Sequence, residues 1–230
     1  MKIAILGGSF NPLHVGHAML AETVIKEMGY DKVLFVPACI PPHKEIKDGA
    51  TTAQRLEMVK VFCMSEKSGC FELEPCEVER GGVSYTYDTL LYICEKYKDL
   101  LTAKPGLIMG EEIAAEFNKW KNPEGIVELA DLIIVPRKQD YLPAKAEVQN
   151  HKNKPTGLYN GDFNTVFNKE TFAWPCRVLS EAMLSVSSTE IRTRIAEGKS
   201  FKYLVPPAVF DYIENDGLYR QPTCIKSIVD

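Results

Sequence analysis

Gly7-Gly8-Ser9-Phe10-Asn11-Pro12-Leu13-His14-Val15-Gly16-His17 lies between two segments of opposite periodicity. Before it, Lys2-Ile3-Ala4-Ile5-Leu6 is a short apolar run of the kind that forms a buried strand. After it, Leu20, Ala21, Val24, Ile25 and Met28 recur at the spacing of one helix face. The unit is therefore strand, glycine turn, helix.

Such a turn has a physical use. Paired glycines remove Cβ atoms where a phosphate approaches the backbone, and a helix start offers unpaired N–H groups and a partial positive charge. An anion is the expected guest. His14 and His17 add donors that titrate near neutral pH, and they are two of only four histidines in the chain. The same residues also admit plainer readings, in which the Gly-Gly pair is only a turn and the histidines cap a helix or ligate a metal.

Working outward, Val33-Leu34-Phe35-Val36 reads as a second buried strand stopped by Pro37. Residues 37–50 carry three prolines, His43 and Lys44, and read as a surface loop. Thr51 or Thr52 caps a helix with Leu56, Val59, Phe62 and Cys63 on one face, and Phe71 and Leu73 mark a half-buried third strand. A second glycine-marked loop, Glu79 to Thr86, leads into a helix whose expected apolar side is Leu90, Leu91, Cys94 and Tyr97. Leu107-Ile108-Met109 is a strand ending at Gly110. Helical stretches follow at Ile113 to Trp120 and Pro123 to Leu129, then a strand at Leu132-Ile133-Ile134-Val135. Residues 138–172 break the rhythm and read as an irregular surface excursion. Val178-Leu179 closes the series of strands.

Near the end, Ser187-Ser188-Thr189-Glu190 has capping-box spacing, Ile191, Ile195 and Gly198 complete a short helix, and Pro207 to Asn215 forms another, closed by Gly217. Strand and helix alternate throughout, so the expected fold is α/β, Rossmann-like and doubly wound: a mainly parallel sheet with helices on both faces. Residues 1–220 form one domain in this reading, and 221–230 a loose tail. Ligands of such sheets sit beyond the carboxyl ends of the strands, which gathers the Gly7 turn, the Pro37 loop, the Gly110 turn and the Ser187 helix start at one edge.

Composition narrows the function. The chain has 230 residues, 45% hydrophobic and 25% charged, the make-up of a soluble globule. A net charge of −4 argues against nucleic-acid binding, which wants a basic face, whereas a small phosphorylated ligand needs only local cations. There is no apolar run of about 18 residues and no charged-then-apolar leader, so a cytoplasmic protein without membrane contact is expected. The seven cysteines have no C-x-x-C or zinc-finger spacing and read as reduced thiols, with no protein metal site.

The string Gly-Gly-Ser-Phe-Asn-Pro-x-His-x-Gly-His resembles the H-x-G-H signature of the nucleotidylyltransferase superfamily, most closely its bacterial nicotinate mononucleotide adenylyltransferases. Ser187-Ser188-Thr189-Glu190-Ile191-Arg192 resembles the second signature, S-S-T-x-I-R, in the right order and place. Taken alone this segment is also what a well-capped surface helix looks like. The resemblance implies that His14, His17 and Lys44 face a triphosphate, that Gly7, Gly8, Ser9, Phe10 and Gly16 belong to the ATP site, and that Ser187, Ser188, Thr189 and Arg192 hold the outer phosphates.

Arg80 to Leu90 resembles the family's R-x-G-x-S-Y-T-x-D-T-L segment, implying that Ser84, Tyr85 and Thr86 hold the nicotinate carboxylate. Trp120 would stack on the pyridine ring, while Tyr87 reads as core packing. Two residues depart from the pattern. Asn11 stands where many members carry Asp, and Gly110-Glu111-Glu112 replaces Gly-Ala-Asp or Gly-Ser-Asp, putting Glu112 at the ribose-binding position with a longer reach. The resemblance covers residues 1–137 and 176–219.

It implies adenylyl transfer from ATP to nicotinate mononucleotide, with Mg²⁺ carried on the phosphates. Other phosphorylated acceptors, such as nicotinamide mononucleotide or phosphopantetheine, a cytidylyl donor, and a non-catalytic nucleotide sensor are the alternatives. A homo-oligomer is left open.

Overall fold

The computed structural model describes residues 1–40, 49–136, 169–179, 184 and 186–220. Lys44, His43, Cys224, the 221–230 tail and nearly all of the 138–172 excursion lie outside the described residues.

The strands β1 (Ile3–Gly8), β2 (Lys32–Pro37), β3 (Phe71–Leu73), β4 (Gly106–Gly110), β5 (Asp131–Val135) and β6 (Cys176–Val178) pair in the order β3-β2-β1-β4-β5-β6. Every pairing is parallel. The chain thus starts in the middle, walks to one edge, returns, and walks to the other. That reversal puts a switch point between β1 and β4, where the connections leaving the two strands part and open a crevice.

Strand alternation divides the core in two. Ala4 and Leu6 of β1 with Val33 and Phe35 of β2 face one layer, and Ile3, Ile5, Leu34 and Val36 face the other. The first layer is closed by α1 (Val15–Met28), α2 (Thr52–Ser65), α7 (Ser188–Ala196) and α8 (Pro207–Asn215), which bury Val24, Phe62, Ile191 and Val209 among others. The second is closed by α3 (Cys76–Arg80), α4 (Thr86–Lys96), α5 (Glu111–Ala115) and α6 (Pro123–Leu129), through Cys76, Leu90, Ile93, Ala114 and Ile126. Both faces are covered, as a parallel sheet requires.

The helix ends follow local chemistry. Thr51 caps α2, its Oγ accepting from the Gln54 N–H while the Gln54 side chain accepts from the Thr51 N–H. Asn122 caps α6 with Pro123 at its first turn, and Gly29 in the left-handed region ends α1.

Some elements differ from expectation. The 113–120 helix is two pieces, α5 and a 3₁₀ turn at Phe117–Lys119, and α3 was not foreseen. On α4 the buried face is Thr89, Leu90 and Ile93, with Leu91 exposed. Ser187 caps α7 by accepting from the Glu190 N–H, but the Glu190 carboxylate pairs with Arg194 at 2.9 Å. The six cysteines in the described residues are all free thiols. Among the described residues, no helix is long and apolar enough to cross a membrane.

Candidate active site

The crevice at the switch point is a cleft of about 650 Å³. Gly7, Gly8, Ser9, His14, Gly16 and His17 line it from the β1–α1 turn, and Gly110, Glu111 and Glu112 from the β4–α5 turn. Ser187, Ser188 and Thr189 line it from the start of α7, Ser84, Tyr85 and Thr86 from the loop entering α4, and Trp120 from just past the 3₁₀ turn. The structure thus brings the turn, both glycine loops and the C-terminal signature to one opening.

The β1–α1 turn is held from below by its own side chains. Phe10 has φ +45, sparsely populated for a residue with a Cβ. Its ring is buried, packing edge-on against His17 at 5.0 Å and against Phe35 at 5.8 Å. Phe10 therefore supports the turn from the core side, and its ring is not part of the cleft wall. A Cβ on Gly8 would come within 3.1 Å of that ring, and one on Gly16 within 3.1 Å of the His14 imidazole. These two glycines make room for rings as much as for phosphate. Around Gly7 a Cβ would meet nothing within 4 Å, so open space lies there.

His14 and His17 stack with ring centroids 3.7 Å apart. The backbone N–H of His14 donates to His17 Nδ1 at 3.2 Å. A main-chain N–H can only donate, so Nδ1 is unprotonated and the proton of the neutral ring sits on Nε2. Burial, and secondarily the neighbouring His14, hold the pKa of His17 well below the ordinary imidazole value. His17 at neutral pH is a fixed, uncharged N–H donor.

The C-terminal signature is stitched to this turn. Ser188 Oγ donates to the Pro12 carbonyl at 2.9 Å, and Arg192 Nη1 donates to the Asn11 carbonyl at 2.7 Å. Arg192 Nη2 lies 3.3 Å from Thr189 Oγ1. Arg192 stands behind the Ser187–Thr189 wall and is not itself a lining residue. The Asn11 side chain is buried, and its Oδ1 accepts from the Ala50 N–H at 3.1 Å and the Tyr219 hydroxyl at 2.8 Å. One amide oxygen serves two donors there, which explains how Asn fills this position without burying a charge.

Ser84 Oγ accepts from the Cys39 N–H at 2.9 Å and donates a hydrogen bond to the Glu77 carboxyl. Glu77 also accepts from Thr89 Oγ1 at 2.6 Å, and Arg80 donates to the same hydroxyl at 3.1 Å. Burial raises the Glu77 pKa, against the pull of these hydrogen bonds. The Ser84 hydroxyl is therefore engaged inside the protein, and the groups this loop turns outward are Tyr85, Thr86 and the free N–H groups starting α4. Trp120 packs on Phe117 at 5.3 Å while bordering the cleft. Lys121 beside it bonds both Asp88 oxygens, at 3.0 and 2.8 Å, and lies 4.8 Å from the centre of the Tyr85 ring. Tyr87 packs toward α6, where a Cβ on Gly125 would lie 2.6 Å from its ring.

Sequence reasoning missed Glu77, Thr89 and Arg55. For Arg55 a signal existed, since it falls in register with Met58, Val59 and Phe62 on the buried stripe of α2. A cation on an apolar stripe is a conflict that asks for a reason.

The family model described as cytidylyltransferase-like matches residues 5–194. A probable nicotinate-nucleotide adenylyltransferase of Dictyoglomus thermophilum is 38% identical over 223 residues, covering 95% of this chain and 100% of the relative. One from Treponema pallidum (strain Nichols) is 34% identical over 220 residues, 96% of this chain and 100% of the relative. Among solved structures, Plasmodium falciparum nicotinic acid mononucleotide adenylyltransferase complexed with NaAD superposes with a TM-score of 0.68 at 18% identity, covering 95% of this chain and 97% of that one. At that identity the likeness is one of fold.

Proposed function

We propose that this chain, which belongs to the cytidylyltransferase-like family and within it to the nicotinate-nucleotide adenylyltransferases, joins nicotinate mononucleotide to the AMP part of ATP, releasing pyrophosphate and forming deamido-NAD. The observation that carries this reading is the meeting of two segments far apart in sequence at one cleft. His17 and the Gly7–Ser9 turn share it with Ser187–Thr189, and Ser84–Thr86 and Trp120, the acceptor side in this reading, line the same cleft.

The nucleophile in this reading is the acceptor's own 5′-phosphate, already an anion, so no general base is needed. A phosphate oxygen forms a bond to the α-phosphorus as the bond to the pyrophosphate oxygen breaks, and the departing electron pair stays on pyrophosphate. Catalysis is then positioning and charge neutralisation. His17 Nε2–H and the N–H groups starting α1 stabilise the α-phosphate oxygens. The start of α7, with Arg192 one turn in and Lys44, stabilises the leaving group.

Thr86 and the first N–H groups of α4 receive the nicotinate carboxylate, and Trp120 offers a face to the pyridine ring. Glu112, in the first turn of α5, takes the ribose hydroxyls. Mg²⁺ in this reading would ride as a counter-ion on ATP's own phosphate oxygens. There it supplies further neutralisation of the triphosphate.

A panel crossing nicotinate mononucleotide, nicotinamide mononucleotide and phosphopantetheine with ATP and CTP tests the assignment. The expected outcome is fastest pyrophosphate release with ATP and the nicotinate compound, with deamido-NAD as product. Preference for CTP or another acceptor, or no turnover, rejects it.

A further inference from the structure

The largest fully buried side chain in the described residues is a cation. Arg55, on α2, is 1% exposed. Among the described residues its guanidinium meets no carboxylate. Nη1 donates to the Ser9 carbonyl at 2.8 Å, and Nη2 lies 3.4 Å from the Cys39 carbonyl and 3.3 Å from Thr52 Oγ1. Burying an arginine without a counter-ion is costly, so its retention asks what those two carbonyls have in common.

They belong to opposite halves of the site. Ser9 is in the turn that lines the cleft on the side assigned above to the triphosphate. The Cys39 peptide, just past β2, carries the acceptor loop on its other side: its N–H donates to Ser84 Oγ at 2.9 Å, and next to it the Ile40 carbonyl accepts from the Ser84 N–H at 2.9 Å. Ala38, in turn, donates to the Gly8 carbonyl at 2.9 Å. The segment 38–40 is thus a spine between donor turn and acceptor loop, and among the described residues Arg55 is the one side chain seen to bond both that spine and Ser9.

The geometry points to Arg55 as a positioning residue that fixes the spacing between the ATP turn and the acceptor loop through Ser9, Cys39 and Ser84. It touches neither substrate. What it sets is the distance and line of approach between the attacking phosphate and the α-phosphorus. A planar guanidinium gives charged donors to two carbonyls in fixed directions, whereas a lysine ammonium supplies the charge without the fork. The inference rests on the two-substrate reaction proposed above.

The test uses Arg55→Lys, Ser84→Ala and the double variant, with turnover and both KM values followed by pyrophosphate release and folding followed by thermal melts. Ser84→Ala breaks the same tie from its other end and leaves the Arg55 guanidinium in place, at the cost of one hydrogen bond to Glu77, so the test survives if the arginine variant folds poorly. Misalignment predicts that Arg55→Lys loses roughly ten- to a hundredfold in kcat while each KM stays within about threefold. The double variant then falls about as far as the worse single one, because both changes cut one chain of contacts. Wild-type kcat in Arg55→Lys, effects that multiply, or a loss that only tracks the unfolded fraction overturns the inference. Wild-type enzyme inactive on nicotinate mononucleotide overturns the proposed function and this inference together. Active wild type with an unaffected Arg55→Lys variant overturns the inference alone.

Discussion

Arg192 reaches across 181 positions of sequence to donate a 2.7 Å hydrogen bond to the main-chain oxygen of Asn11. The bond makes the N-terminal turn and the C-terminal signature one rigid wall of the cleft, with Ser188 Oγ on the Pro12 carbonyl beside it. In the proposed reaction Arg192 holds the turn from behind the wall, and its charge one turn into α7 reinforces the positive field of the helix start toward pyrophosphate. Arg192→Ala is expected to lose on the order of 10²-fold in kcat/KM for ATP. Arg192→Lys, which keeps charge without the fork, should recover only part of that. Steady-state kinetics with ATP varied checks this, and equal activity of the lysine variant and wild type would rule out the bridging role.

His17 makes a sharper case because its tautomer is fixed. With Nδ1 accepting from the His14 N–H, the donor left for phosphate is Nε2. His17→Ala should lose roughly 10²- to 10³-fold in turnover, and His17→Gln, which places an amide N–H near the Nε2 position, should lose less than His17→Asn. The same burial has a consequence for stability. An unfolded imidazole takes up a proton below about pH 6.5, while in the fold the pKa of His17 is lower. Between those two values the unfolded state binds more protons, so acidification through that window destabilises the protein. The Tm difference between about pH 7.5 and about pH 5.5 should be smaller in His17→Gln than in wild type. Identical acid sensitivity would contradict a depressed pKa.

The Asn11 amide oxygen carries two buried donors, the Ala50 N–H and the Tyr219 hydroxyl. Tyr219 is itself held at φ +64, which a residue with a side chain adopts only when its surroundings dictate it. Tyr219→Phe should cost about 1 kcal/mol and Asn11→Ala about 2–3 kcal/mol, since the latter strands two donors. The two should be non-additive in urea denaturation, because they share one bond. Additive effects would separate Tyr219 from the turn.

Trp120 lines the cleft, and in the proposed reaction it serves the acceptor alone. Trp120→Ala should raise KM for nicotinate mononucleotide about tenfold or more, on the scale of one ring-stacking interaction, and leave KM for ATP nearly unchanged. A change confined to the ATP term would move Trp120 out of the acceptor site.

Much of the fold was legible because its elements are punctuated in sequence. Asn122-Pro123 opens α6 and Pro207 opens α8, and both helices run over the residues expected. The four-residue apolar runs before Pro37 and Pro136 became β2 and β5, and the sheet is parallel and covered on both faces as the alternation implied. On the α4 side Leu90 and Tyr97 are buried as expected, and the departure at Thr89 and Leu91 has a physical cause. The buried stripe of this helix passes over Glu77 and Arg80, so a polar residue, Thr89, is buried while Leu91 turns outward.

The site divides the same way. Each signature is contiguous in sequence, which is why its residues could be named, and the two do converge on one cleft. The ties among them run between side chains and distant main-chain carbonyls: Arg55 to Ser9, Arg192 to Asn11, Ser188 to Pro12. A carbonyl is common to every residue, so such bonds leave no mark in the sequence of the acceptor. Phe10 shows the converse. It belongs to the signature, but its ring serves the core beneath the turn.

The central claim is that the protein contributes no nucleophile and only holds two phosphates in line. The most direct measurement is the stereochemistry at the transferred phosphorus, using ATP made chiral at the α-position with sulfur and nicotinate mononucleotide as acceptor. One direct displacement gives product of inverted configuration, which is the expected result. Retention would mean two successive displacements through a covalent enzyme intermediate, and would contradict the account.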